Sequence, residues 1–207
     1  MAVTSKQVQE LYVAYLGRAA DKAGLEYWLG ELNNPASGLT LENLRANFVN
    51  EQPEYARIYG GLSVTQTVAR IYENLFERAA EPAGRDYWVG EVNAGRVPVD
   101  QLLVAFLGAA SPGDRQVVDN KVAVAEAYTA ANPDSFNEAE AAAAIDDVDG
   151  TQDSVDAAMA RIAGNEAPSA SPDFRLTSAR EPSWDEASIE PEPEITLLGV
   201  AGDMLLI

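Results

Sequence analysis

The chain of 207 residues contains no cysteine and no histidine. Without cysteine there is no disulfide framework, no thiolate metal site and no cysteine nucleophile. Without histidine the usual general base and the commonest metal ligand are missing, so any catalysis would fall to carboxylates, as in glycoside hydrolysis. A nucleophile–base pair, a P-loop, a dinucleotide fingerprint and metal motifs are also lacking, and the chain reads as non-enzymatic. No stretch reaches the roughly 18 apolar residues of a membrane span, so no transmembrane segment is expected. The start, MAVTSKQVQELY, lacks an apolar signal-peptide core, which argues against export through an N-terminal signal. Positive charge is scarce: 14 Lys and Arg stand against 33 Asp and Glu, for a net charge of −19. Residues 1–132 carry 16 acidic and 11 basic side chains, whereas residues 133–207 carry 17 and 3. Such a field repels nucleic acid and anionic lipid and attracts cations or a basic partner. It also keeps an extracellular or salt-exposed protein soluble.

What is present is a repeat. LYVAYLGRAADKAGLEYW at 11–28 returns as IYENLFERAAEPAGRDYW at 71–88. Tyr12 returns as Tyr72, Arg18 as Arg78, Asp21 as Glu81, Gly24 as Gly84, and Tyr27–Trp28 as Tyr87–Trp88. A repeat of this length is one helical unit that cannot bury its apolar face alone but can pair with its copy. Thr4 with Gln7 and Ser63 with Gln66 are capping-box patterns opening the first helix of each unit. Asp21 is a good N-cap for the second helix, and Pro82 fits the first position of its copy. Thr40 caps a third helix that ends at Pro53, with a joint to Gly61; Leu102, Leu103, Phe106 and Leu107 mark the equivalent helix of the second copy. A seventh helix is predicted over 114–131, with Val117, Val118, Val122, Ala125 and Tyr128 inward. Another N-terminus falls at Ser135–Glu138, and a last helix at 151–163.

The fold class expected is therefore all-α: a bundle of about eight helices built from two related three-helix repeats, followed by a low-complexity acidic tail. Repeat 1 covers 1–60, repeat 2 covers 61–113, and 114–163 packs additional helices on them. Residues 164–193 form a Pro/Glu/Ser-rich flexible segment, and 194–207 turn apolar again.

Arg18 and Arg78 stand three residues before Asp21 and Glu81, a spacing that suits a structural ion pair and cap at the interhelical turn. Tyr12, Trp28, Tyr72 and Trp88 are expected in the core, with Tyr27 and Tyr87 at its boundary. Adjacent helix positions lie about 100° apart, so Tyr and Trp cannot face the same way, and carbohydrate stacking would require exposed rings. Asp146, Asp147, Asp149, Asp153 and Asp156 surround Gly150 as candidate calcium ligands. Aligned as an EF-hand loop, however, they place Ile145 at the first ligand position, where it cannot ligate. The alternative is a solvated turn that caps the next helix through Asp149 or Thr151. No other cofactor is expected.

The motif LY-x3-LGR-x2-D-x2-GL-x-YW resembles the DUF4214 family, a bacterial helical domain of unassigned biochemistry. The resemblance covers about residues 4–111 in two copies; the second departs from it at Phe76–Glu77–Arg78 and at Arg85. DNKVAVAEAYT at 119–129 and AIDDVDGTQDSVDAAMARI at 144–162 are similar to segments that follow these repeats in large secreted bacterial proteins. The resemblance implies an adhesin-like or surface-layer-like role, with a protein partner or the cell surface as its target, and with the type I secretion machinery as a further partner. The end Asp203–Met204–Leu205–Leu206–Ile207, after an acidic, Pro-rich stretch, looks like a type I secretion signal. The family also bears a distant likeness to phycobilisome linker domains, which implies an intracellular scaffold as the alternative. A carboxylate-based polysaccharide hydrolase is the third reading. The oligomeric state is left open.

Overall fold

A computed structural model describes residues 2–164. The tail segments 165–193 and 194–207, including Asp203, Met204, Leu205, Leu206 and Ile207, lie outside the described residues. Among the described residues every regular element is a helix, as expected, and no strand is present.

Helix α1 (Ser5–Leu11) starts where Thr4 and Gln7 close a capping box: the Gln7 N–H donates to Thr4 Oγ1, and the Thr4 N–H to Gln7 Oε1. It runs straight into a π-helical segment, Tyr12–Leu16, whose five residues are all buried. A helix buried on every side belongs at the centre of a domain. This one touches α3, α4, α5 and α8. Gly17, at φ 61°, stops it in the left-handed region that glycine tolerates best.

Helix α2 (Lys22–Leu32) follows, capped by Asp21, and then α3 (Leu41–Glu51), capped by Thr40 and Asn43. The joint expected after Pro53 is itself a helix, α4 (Pro53–Tyr59), with the proline at its first turn. The second copy repeats the plan with α5 (Val64–Phe76), α6 (Pro82–Asn93), a 3-10 turn (Val99–Gln101) leading into α7 (Leu102–Ala109), and α8 (Pro112–Ala131). Each unit therefore holds the three expected helices and a fourth. The seventh helix of the sequence reading is the fourth helix of the second copy, lengthened to 20 residues.

That length makes α8 the spine. It packs against α1, against the π segment and against α5, so both copies meet on it. Its inward residues Val117, Val118, Val122, Ala125 and Tyr128 are buried as expected. Helix α9 (Glu138–Ala143) is capped by Asn137 rather than Ser135, and α10 (Gln152–Ile162) by Thr151; both lie on α8. The aromatic core repeats with the sequence. Tyr12 meets Phe48 edge-on at 4.7 Å between ring centroids, and Tyr72 meets Phe106 at 5.0 Å.

Candidate functional site

The repeated turn is built around an arginine lying on a tyrosine ring. The Arg18 guanidinium is 5.3 Å from the centroid of Tyr12, and that of Arg78 is 4.9 Å from Tyr72. Arg18 does not pair with Asp21 as expected. Its Nε and Nη2 donate to Glu54 Oε1 at 3.2 and 2.9 Å, and its Nη1 to the Ala19 carbonyl at 3.0 Å. Both partners are buried. Asp21 instead accepts the Gly24 N–H at 2.6 Å, which fulfils its role as cap.

In the second copy Arg78 reaches both ways. It donates to Glu81 at 2.6 Å, the local pair expected, and to the two oxygens of Asp114 at 2.7 and 3.0 Å. The Arg78 guanidinium, and the Ser111 hydroxyl after it, hold the Asp114 carboxyl below its ordinary range. Glu54 and Asp114 stand the same sixty positions apart as Arg18 and Arg78. That shared register was the signal for the long-range partner, and it leads to α4 and α8, the helices that deliver the acids.

Gly24 and Gly84 have a steric reason. A Cβ on Gly24 would lie 2.6 Å from the Tyr12 hydroxyl, and one on Gly84 would lie 2.7 Å from that of Tyr72. Each tyrosine passes beneath the start of the next helix and interacts with the indole of Trp28 or Trp88. Burial pushes both phenols upward. Trp88 is buried and Trp28 half-buried. Tyr27 and Tyr87, expected at the core boundary, lie well out in solvent, each 58% exposed.

The candidate calcium residues do not come together as one loop. Asp149 accepts from the N–H and hydroxyl of Thr151 at 2.8 and 2.6 Å, and its own N–H donates to Ser154 Oγ at 3.1 Å. This is the capping turn of α10. Asp156 accepts from Gln152, and no converging acidic group among the described residues includes Asp149, Asp153 or Asp156. Asp146 and Asp147 converge instead with Glu77, their carboxylate oxygens all within 4.8 Å of one another. Lys121 is already in contact with Glu77 and donates to the Asn74 carbonyl at 2.9 Å, so the ammonium supplies the counter-charge that a cation would bring. Burial raises the Glu77 carboxyl; Lys121 opposes this, and Asp146 and Asp147 add to it. Glu77 and Asp147 are also the two described non-glycine residues with positive φ, at 52° and 60°.

Two clefts are shallow and open to solvent. One of about 350 Å³ is lined by Ser5, Lys22, Leu25, Glu126 and Thr129, and another by Arg57, Phe136 and Glu138. Each offers one carboxylate, and Glu138 is paired with Arg57. No helix among the described residues is long and apolar enough to cross a membrane.

No curated protein and no solved structure matches the chain. The sequence pattern of the family described as "Domain of unknown function (DUF4214)" matches residues 2–41 and 46–111, two tandem segments of which each holds one copy of the arginine turn. A duplicated arginine turn, a glycine beneath a tyrosine hydroxyl and a family match over half the chain lead to one statement: this protein belongs to the DUF4214 family.

Proposed function

We propose that the protein is a non-catalytic interaction module of the extracellular or cell-surface type, acting through contacts made by its helical surface. One observation carries this reading. The polar residues of the repeated motif are engaged in architecture: Arg18 with Glu54, Arg78 with Asp114 and Glu81, and Asp21 with the start of α2. What the repeat preserves inside is a scaffold, so its activity belongs to the outside. The single carboxylate in each cleft supports a non-catalytic role, because glycoside hydrolysis places two carboxyl groups about 5–10 Å apart around the substrate.

Export by a type I system is part of the proposal, and it rests on the composition of the tail: acidic and Pro-rich over 164–193, apolar over 194–207. The test compares the full chain with a chain stopped after Pro193 in the native host. Full-length protein in the medium or on the surface, with the shortened chain retained, is the expected result. Retention of both inside the cell would overturn export and favour the intracellular scaffold.

A further inference from the structure

The two copies agree on the surface as well as in the core, and at one place nothing structural requires it. Along the outward side of α2 run Ala23, Glu26, Tyr27 and Gly30; along α6 run Ala83, Asp86, Tyr87 and Gly90. All eight are solvent-exposed. Nearby positions have diverged freely: Lys22 has become Pro82, and Leu25 has become Arg85.

The glycines are the telling pair. Each sits inside a helix, where glycine is unfavourable. A Cβ at Gly30 or Gly90 would meet nothing within 4 Å, so no neighbour demands the gap. Side chains on a helix lean toward its N-terminus, over the residue three or four before. Any side chain at 30 or 90 would therefore lean over Tyr27 or Tyr87. The ring itself leans toward a small alanine. The ring is set edge-to-face against the adjacent indole in nearly the same way in both copies, at 5.2 Å and 73° and at 5.1 Å and 74°. Each copy thus presents an exposed tyrosine ring in the same setting.

Most of the charges around these faces are paired. Lys22 lies 3.9 Å from Glu26 in the first copy; Arg85 pairs with Asp86 at 2.8 Å and Arg96 with Glu91 at 2.6 Å in the second. On a chain of net charge −19 the second patch is locally balanced, and the first, with Ala36 in place of Arg96, keeps Glu31 as an extra carboxylate acceptor beside its ion pair. They fit an uncharged ligand with an apolar face and hydroxyls at its rim, able to use both the carboxylates and the cationic donors. An anionic polymer is repelled by the whole molecule.

We infer that Tyr27 and Tyr87 are two equivalent stacking sites for a neutral polysaccharide, each ring taking the C–H face of a sugar while the flanking ion pairs bond its hydroxyls. Two sites on one chain suit a repeating polymer and gain by avidity. This inference rests on the surface-module reading and names its ligand class.

The test is electrophoresis of the full chain through native gels containing hydroxyethylcellulose, a mannan or a soluble starch. The wild type is retarded by at least one of them, and salt at about 0.5 M in a parallel pull-down leaves binding in place, because an uncharged ligand offers no charge to screen. Tyr27→Ala with Tyr87→Ala abolishes retardation, and each single change weakens it about tenfold through lost avidity. A second variant, Gly30→Gln with Gly90→Gln, melts no lower than wild type, because helix glycines are removed, yet is not retarded. A structural role for the glycines predicts the opposite on both counts.

Absence of retardation in all three gels, or retardation that survives both variants, overturns the inference. So does binding only to polylysine that salt abolishes, which would identify a basic partner instead. An exported chain that no gel retards leaves the surface-module reading standing without this ligand. A chain retained in the cytoplasm defeats that reading whatever the gels show.

Discussion

Gly84 can be tested against the single atom that explains it. An alanine there would place its Cβ 2.7 Å from the Tyr72 hydroxyl, so Gly84→Ala is expected to cost about 1–3 kcal/mol by overpacking. Tyr72→Phe removes that oxygen, and urea unfolding of the double variant should recover most of the loss; equal losses with and without the hydroxyl would refute the steric account. Arg18 is the other residue whose role is sharply defined. Arg18→Ala leaves the buried Glu54 carboxylate without its partner and is expected to cost about 3–5 kcal/mol. Arg18→Lys should restore only part of this, because lysine cannot reproduce the guanidinium's bonds to both Glu54 and the Ala19 carbonyl. A cycle with Glu54→Gln measures the coupling, and additive losses would mean the pair is not a unit.

At the scale of elements, the joint between α5, α8 and the turn after α9 carries a conflict. Three carboxylates converge there, one of them bonded to Lys121, and two of them belong to residues held at positive φ. The folded Glu77 carboxyl titrates above its unfolded value, so its stabilising contribution is complete below about pH 4.3 and is lost as pH rises through the folded value. Asp114 runs the other way. Its folded value is depressed, so its contribution is present at neutral pH and lost as pH falls below about 4. Asp147→Gly removes a like charge beside Glu77 and a non-glycine residue from φ 60°, and should stabilise by about 1 kcal/mol. Melting at two pH values checks the cause: the gain should be larger at pH 7 than at about pH 4, where Glu77 is protonated and the repulsion is gone. A gain that does not change with pH would assign the effect to backbone conformation alone.

For the molecule as a whole, the family segment is not a complete folding unit. Residues up to 111 lack α8, which supplies Asp114 to Arg78, Lys121 to Glu77, and Thr129 to the Ala20 carbonyl at 2.6 Å. It also covers α1 and α5 with a row of buried valines. A chain of residues 2–111 is therefore expected to bind a hydrophobic dye and to lack a cooperative melt, whereas residues 2–164 should melt cooperatively. A cooperative transition in the shorter chain would show that the repeats pair without their spine.

Local sequence determined the helices and most of their ends. The capping boxes at Thr4 and Ser63, the proline that opens α6, and the apolar spacing of α5 and α8 act within one or two turns, so they can be read without knowing what lies across the bundle. Helix α8 itself starts two residues before the expected 114, at Pro112, because Ser111 caps it. The duplication was equally plain, because a repeated helical unit keeps the residues that pack. Tertiary structure decided the partners. Arg18 had a carboxylate three residues away and chose one thirty-six positions on, because α4 brings Glu54 into the buried turn while Asp21 is occupied by the start of α2. Asp146 and Asp147 left the loop they share with Asp149 to meet Glu77 across the bundle. Helix periodicity set Tyr27 apart from Trp28, but only the packed helices left Tyr27 and Tyr87 uncovered, since exposure depends on everything that does not fold over a side chain.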